Sequence, residues 1–370
     1  MKFNCNQQVL SKTLAIVSRA VTVRTTMPIL KGILIQAQDD KLTFSASDLD
    51  ISIEKTIDAV VDEPGSIVVS SKLFNDIIRR LPNETIFMEL KDETTLNIKT
   101  ATSEFTIVGQ PADEFPNIAT IEDVQSRLSF NKEIFTSMIK KTAFSAATDE
   151  NKGVIVGVLL ELEKNNFNMV ALDGFRMAIC REQMKNEKSG NIIIPGKILS
   201  DIRNILLETS SDEDVEIILG NKKAIVLIEN TKIVVRLIDG AFIKYKEILA
   251  SDNTTRVIID RSDLLTGIER ASLLAKEGKN NLIKCVIKEN LLTITSRSEE
   301  GTVKEEIIME KVGEDLEIGF NSKYLLEALK VIEDDEIVLE FKTAVTPCLI
   351  KPIEGNNYEY LVLPVRITSN

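Results

Sequence analysis

The sequence predicts an α+β protein built from three copies of one module, each running β-α-β-β-β twice. Three observations predict it. Apolar positions recur at shifts of 125 and 254 residues, a second motif recurs midway through each copy, and polar turns cut the remainder into short strand-like runs.

Each copy opens on a strand that runs into a helix. Lys2-Phe3-Asn4-Cys5-Asn6-Gln7-Gln8-Val9-Leu10, Arg127-Leu128-Ser129-Phe130-Asn131-Lys132-Glu133-Ile134-Phe135 and Arg256-Val257-Ile258-Ile259-Asp260-Arg261-Ser262-Asp263-Leu264 begin alike. The shifts superpose Phe3, Leu128 and Val257, then Cys5, Phe130 and Ile259. That alternation is the mark of a half-buried strand. They also superpose Leu10 with Phe135 and Leu264, Leu14 with Ile139 and Ile268, and Val17 with Thr142 and Ala271. The i, i+4, i+7 spacing is one apolar helix face, and it predicts helices over 8–21, 131–144 and 261–279. Midway through each copy, Val69-Ser70-Ser71-Lys72-Leu73-Phe74 matches Ile194-Pro195-Gly196-Lys197-Ile198-Leu199 and Phe320-Asn321-Ser322-Lys323-Tyr324-Leu325. These open shorter helices over 71–81, 196–207 and 321–332. About three strand-like runs follow each helix, for example 85–90, 94–99 and 104–109. Turns such as Lys91-Asp92-Glu93 and Gly220-Asn221-Lys222 part them. The expected modules are 1–122, 123–251 and 252–370, each with two helices and about eight strands. Helices so few and short must lie on one face of the sheets.

Composition narrows the chemistry. The 44% hydrophobic fraction lets each module bury a core, and the low glycine and proline content argues against long linkers. The N-terminus has no apolar signal region and no apolar run approaches the ~18 residues of a membrane helix. The expected location is cytoplasmic, with no membrane partner. Cys5, Cys180, Cys285 and Cys348 lie far apart, and there is no histidine. They read as buried, reduced thiols rather than a metal site. The lack of histidine also removes the commonest general base. Neither G-x-x-x-x-G-K-[ST] nor a strand-to-helix G-x-G-x-x-G occurs. Gly153 to Gly157 reads as a strand edge. Asp48 and Asp50 read as solvent-facing in an alternating strand with Leu49 inward. Asp173-Gly174 reads as a turn, and Asp212-Glu213-Asp214 and Glu333-Asp334-Asp335-Glu336 as solvated turns. The chain is therefore expected to bind rather than to catalyse, with no metal and no cofactor.

Charge distribution says what it binds. A protein that grips nucleic acid by its phosphates usually carries a basic excess, whereas the net charge here is −12. The six predicted helices sum to +9, and +9 against a total of −12 leaves −21 for everything else. One reading is that Lys and Arg are good helix formers on solvated faces, although the equally good Glu is scarce there. The other is one positive, helix-lined surface that holds DNA, on a molecule that repels it elsewhere.

Four stretches carry a family resemblance: Thr26-Met27-Pro28-Ile29-Leu30, Ala171-Leu172-Asp173-Gly174-Phe175-Arg176-Met177-Ala178, Asp239-Gly240-Ala241-Phe242 and Tyr360-Leu361-Val362-Leu363-Pro364-Val365-Arg366. With their order, their spacing and the threefold repeat, the chain resembles the bacterial sliding clamps, the beta subunits of DNA polymerase III, over essentially its whole length. The resemblance implies a DNA clamp fold without enzymatic activity. It implies a head-to-tail homodimer closed into a ring of six modules around duplex DNA, with helices lining the bore and sheets outside. Such a processivity factor tethers the replicative DNA polymerase in DNA replication and is placed by an ATP-driven clamp loader. Twelve helices at ~10 Å each put their axes on a circle ~38 Å across and leave a bore of ~28 Å, which admits a duplex.

By position in the family, the bore cations are Arg24, Lys72, Arg79, Arg80, Lys152, Lys197 and Arg203. Relatives often carry two aromatics just after Lys152, where this chain has Gly153 and Val154. The subunit contact is expected to use Phe105 and Ile107 against Leu273 and Leu274, four residues that equally fit an ordinary core. The resemblance also implies a hydrophobic cleft for short linear peptides of polymerase, loader and repair proteins. Its positions are Ile155, Leu172, Gly174, Phe175, Arg176, Met177, Ile243, Ile248, Val362, Leu363, Pro364, Val365 and Arg366. Leu, Met, Val and Ile make an adaptable groove, and Arg176 and Arg366 are expected to hold peptide carbonyls or carboxylates. Phe175 stands where relatives usually have His or Tyr, and Ile243 where they have proline. Two other readings remain: a peptide-binding scaffold that never encircles DNA, and a metal-dependent nuclease using the acidic clusters.

Overall fold

A computed structural model describes residues 1–118, 120–121, 123–184, 189–209, 213–249 and 252–367. The expected module joints at Glu122 and Ser251, and Asp212 of one acidic turn, lie outside the described residues.

The first repeat runs β1 (Lys2–Asn6), α1 (Gln7–Val17), β2 (Gly32–Gln38), β3 (Lys41–Ser47), β4 (Ile51–Asp58), β5 (Val60–Glu63), β6 (Gly65–Ser70), α2 (Ser71–Arg80), β7 (Thr85–Leu90), β8 (Thr95–Lys99) and β9 (Glu104–Val108). The second runs β10 (Ser126–Phe130), α3 (Lys132–Thr142), β11 (Gly157–Leu162), β12 (Asn166–Leu172), β13 (Arg176–Gln183), β14 (Gly190–Pro195), α4 (Gly196–Glu208), β15 (Val215–Leu219), β16 (Lys223–Ile228) and β17 (Thr231–Arg236). The third runs β18 (Thr255–Asp260), α5 (Arg261–Ala275), β19 (Leu282–Lys288), β20 (Leu291–Ser298), β21 (Gly301–Ile308), β22 (Glu310–Gly313), β23 (Leu316–Asn321), α6 (Ser322–Leu329), β24 (Glu336–Phe341), β25 (Cys348–Pro352) and β26 (Tyr358–Val362).

Local signals account for the helices. Asn6 caps α1, its side-chain oxygen accepting from the backbone N–H of Gln8 at 2.9 Å and Val9 at 3.2 Å. Leu10, Leu14 and Val17 of α1 are fully buried, as the spacing predicts, and so are Phe74 and Ile78 of α2. Lys72, Arg79 and Arg80 fall on the exposed side of α2. In the third repeat Leu264, Ile268 and Ala271 join the core beneath α5. All four cysteines are buried and unpaired, and burial pushes the thiols of Cys5 and Cys285 up to about 12.

The chain divides into two compact units. The first is Met1–Phe135 with Asp201–Leu237. It holds one sheet ordered β5-β1-β7-β8-β9 and another ordered β10-β15-β16-β17-β4-β3-β2-β6. The second is Thr136–Ser200 with Ile238–Asn370. Its sheets are ordered β14-β11-β12-β13-β26-β25-β24-β18-β22 and β21-β20-β19-β23. The same joint occurs in each unit. β17 pairs antiparallel with β4, setting Thr231 opposite Lys55 and Val235 opposite Ile51. β26 pairs antiparallel with β13, setting Tyr358 opposite Cys180 and Val362 opposite Arg176. In both, the last strand of one repeat joins the fourth strand of the repeat before it. The strands that hold those two places elsewhere, β9 and β21, each end a sheet with no outer strand neighbour among the described residues.

Four expectations change. The helix expected over 261–279 stops at Ala275, where Lys276 N–H donates to Ser272 O and Gly278 N–H to Ala275 O. The helix expected over 321–332 is shorter, with Asn321 as its cap. Gly153 is not a strand edge but a kink within the 3-10 segment Glu150–Val156, where its positive φ of 62° is a conformation that glycine adopts without penalty. Asp48 to Asp50 form the turn between β3 and β4. Asp48 Oδ1 accepts from the N–H of Asp50 at 3.0 Å and Ile51 at 2.8 Å, and Leu49, at φ 79°, points outward and is 55% exposed.

Candidate DNA-facing and partner-docking surfaces

The partner-docking candidate grows out of the β13–β26 joint. Asp173 Oδ1 accepts from the N–H of Phe175 at 2.8 Å and Arg176 at 3.1 Å, and Gly174 takes a left-handed φ of 95°. Leu363 N–H donates to Phe175 O at 2.9 Å, and Val365 N–H to Gly319 O at 2.8 Å. These bonds lay the chain after β26 beside the turn. Leu172, Met177, Leu349, Leu361 and Tyr245 are buried together, with Ile155 and Phe242 packed against them. Phe175, Ile243, Ile248 and Leu363 stay exposed. Gly174 and Arg366 are exposed, and Pro364 and Val365 half-buried. An apolar floor rimmed by exposed apolar side chains is the chemistry of a ligand groove. The Phe175 ring stacks on Tyr324 at 6.0 Å, and Lys152 Nζ lies 5.7 Å from its centroid. Burial raises the Tyr324 phenol, and the Asp173 charge adds to the rise.

Arg176 does not reach outward. It is 9% exposed. Its Nε donates to Asp173 Oδ2 at 3.1 Å, its Nη2 to Phe144 O at 2.8 Å and its Nη1 to the Glu327 carboxylate. The guanidinium lies over the rings of Tyr324 at 4.9 Å and Phe144 at 5.2 Å. Three of its donors are committed inside the protein, so it braces the turn, and of the two arginines Arg366 is the exposed one. Val362 is a second correction. It is buried in the core of the third repeat, and its neighbour Leu361 takes the cleft side.

The expected bore cations divide in two. Arg24, Lys72, Arg79 and Lys197 are exposed, and their side chains have no carboxylate partner among the described residues. Lys72 and Arg79, seven residues apart, share one side of α2. Arg80 pairs with Asp76 at 3.0 Å in an exposed contact worth little. Arg203 is half-buried, with its Nε buried and unpartnered. Lys152 leans on Phe175 and on Asp173 O at 3.4 Å. Other helix cations are already neutralised, Arg19 by Glu208 at 2.6 Å and Lys140 by Glu333 at 2.8 Å. The expected subunit-contact residues also divide. Leu273 is 66% exposed and Phe105 39%. Leu274 is half-buried, its Cδ1 4.0 Å from where a Cβ on Gly301 of β21 would stand. Ile107 is 6% exposed opposite the fully buried Leu96, which makes it core.

Three family models match the chain in succession. They describe the DNA polymerase III beta subunit, its N-terminal domain over residues 1–119, its central domain over 129–244 and its C-terminal domain over 246–366. The chain belongs to the DNA polymerase III beta subunit family. The Beta sliding clamp of Bacillus subtilis is 34% identical to it over 379 residues, covering 99% of this chain and 100% of that one. The solved Bacillus subtilis DNA polymerase sliding clamp matches with a TM-score of 0.95 at 34% identity, covering 100% of both chains. A putative beta subunit from Eubacterium rectale matches with a TM-score of 0.94 at 36% identity, covering 99% of this chain and 100% of that one. A Pseudomonas aeruginosa sliding clamp bound to griselimycin matches with a TM-score of 0.92 at 27% identity, over 99% and 100%. As a beta subunit, the chain has the three-domain α+β clamp fold and is a sliding clamp, a processivity factor rather than an enzyme.

Tyr324, Leu349, Leu361 and Phe242 are cleft residues that sequence reasoning missed. Phe242 stood inside a family motif and Leu361 beside Val362, so both carried a signal. Tyr324 lies in the second helix of the third repeat and carried none.

Proposed function

We propose that the chain acts as a head-to-tail homodimer, a closed ring of six modules around duplex DNA, with module boundaries near residues 122 and 251. The observation that carries this is the joint made twice within the chain. β17 on β4 and β26 on β13 use the same two places in the repeat. β9 and β21 hold those places with no outer strand neighbour among the described residues, so β9 of one copy extends β21 of another, and the reverse contact closes the ring. Leu273 and Phe105 cover that contact. Arg24, Lys72, Arg79, Arg80, Lys152, Lys197 and Arg203 face the duplex. A ring held by topology needs only weak phosphate contacts, so the net charge of −12 is no obstacle, and weak contacts permit sliding.

The β13–β26 cleft receives short linear peptides of the replicative polymerase, the clamp loader and repair proteins. The relative solved with griselimycin supports a ligand-accepting surface in this fold. The working place is the cytoplasm. The test compares retention on nicked circular and linear duplex after loading, in salt near 0.5 M where exposed charge contacts are screened. Retention on circles and loss from linear DNA is expected. Equal retention on both sinks the topological reading.

A further inference from the structure

The first unit contains the cleft's own geometry with opposite chemistry. Arg236 N–H donates to Asp50 O at 2.8 Å, as Leu363 N–H donates to Phe175 O at 2.9 Å. Asp48 N–H donates to Ile51 O at 3.0 Å, as Asp173 N–H donates to Arg176 O at 3.2 Å. With the two joints aligned in this way, Leu172, Phe175, Met177 and Leu363 of the cleft become Ser47, Asp50, Ser52 and Arg236. A pocket of about 80 Å³ opens there, lined by these four polar residues together with Asn117 and Lys223.

Its charge is unbalanced. Lys223 stands directly opposite Arg236 across the β16–β17 pair, and like charges so placed are unfavourable. Asp50 is the one carboxylate among the lining residues, and its Oδ1 stands 3.6 Å from Arg236 Nη1, outside hydrogen-bond range. The Lys223 ammonium and the Asn117 amide have no partner among the described residues. The Ser47 and Ser52 hydroxyls, 2.8 Å apart, satisfy each other. What remains is one net positive charge and several unused donors around a small void.

We propose that this pocket binds the carboxylate of an acidic peptide segment on a partner protein. A monoanion balances one net positive charge, whereas a phosphate dianion leaves the pocket with a net negative one. Exposed Leu49 and half-buried Pro116 give the stem of a Glu side chain apolar cover. An apolar anchor of the kind proposed for the β13–β26 cleft would leave the Lys223 ammonium covered and unpaired, so the pocket rejects it. The clamp then offers two docking sites of opposite chemistry at equivalent joints.

The experiment uses the full-length dimer and a fluorescein-labelled Gly-Glu-Asp-Glu-Gly peptide, read by anisotropy in about 50 mM salt. Saturable binding is expected. Lys223→Ala with Arg236→Ala should weaken it about tenfold or more, Asp50→Asn should tighten it, and Lys164→Ala, an exposed lysine elsewhere, should leave it unchanged. Circular dichroism and dimer mass check each variant, and Lys223→Gln alone serves if the double variant misfolds. The proposal is overturned by no binding to the unaltered dimer, by equal binding to the pocket variants, by equal weakening in Lys164→Ala, or by inorganic phosphate competing better than free glutamate.

Discussion

Arg176 is tied to Asp173, Glu327 and Phe144 O, so its removal takes the buried cation from two carboxylates beside an apolar floor. Breaking a buried ion pair from one side costs about 3 kcal/mol or more. Arg176→Ala should lower the unfolding free energy measured in urea by that amount, and Arg176→Lys should restore little, because a point charge cannot make three divergent contacts. Glu161 gives a pH-dependent counterpart. Burial tends to raise its carboxyl, but hydrogen bonds from Tyr245, Asn168 and Lys246 hold it below the ordinary value of 4.5. A lowered folded-state value means stability that is present above 4.5 and lost as pH falls through the folded value. Glu161→Gln should therefore be less stable than the unaltered protein at neutral pH, and the gap in urea midpoints should close as pH falls below 4.5 and through the lowered folded-state value. The sequence showed Leu172 and Met177 by their flanking turn. It could not orient Val362, because Tyr360-Leu361-Val362 is apolar throughout and only strand pairing decides which face each residue takes. Tyr324 was out of reach for another reason: it meets Phe175 through tertiary packing across 149 positions.

At the scale of elements, helix starts were legible, and so were the ends of α2 and α4, but the ends of α5 and α6 were not. Asn6 and Asp260 cap α1 and α5 by a local side-chain bond visible as a residue type. Asn6→Ala should cost about 1 kcal/mol, read by chemical denaturation. The end of α5 at Ala275 is set by backbone bonds around Gly278, and the apolar spacing ran past it. Exposure separates two of the expected contact residues, Leu273 on α5 and Ile107 on β9. Leu273→Glu, on a 66% exposed side chain, should give monomers by sedimentation with little change in melting. Ile107→Ala, in the core, should lower stability by about 2–4 kcal/mol. A dimer that survives Leu273→Glu would move the interface elsewhere.

At the scale of the molecule, the repeat made the fold readable, because six echoes in register constrain one another as no single motif does. Net helix charge is a coarser signal, because Arg19 and Lys140 contribute to it while both are spent on carboxylates that lie far off in sequence. The unpaired pair Lys72 and Arg79 is the sharper test. Replacing both by Gln should reduce the slope of log affinity against log salt on a short linear duplex by about 2, while retention on nicked circles persists.

The proposed contact between β9 and β21, which have no outer strand neighbour among the described residues, has a consequence for how the protein is made. A newly folded chain displays two complementary strand borders before any partner arrives, and β9, with Phe105, Ile107 and Val108 among its five residues, has little charge to shield it. At low concentration two copies meet and each consumes the other's borders. At high concentration a third copy can add before the second contact forms, and growth continues as an open string. Refolding yield should thus fall as protein concentration rises, and the lost material should be linear oligomers rather than amorphous precipitate.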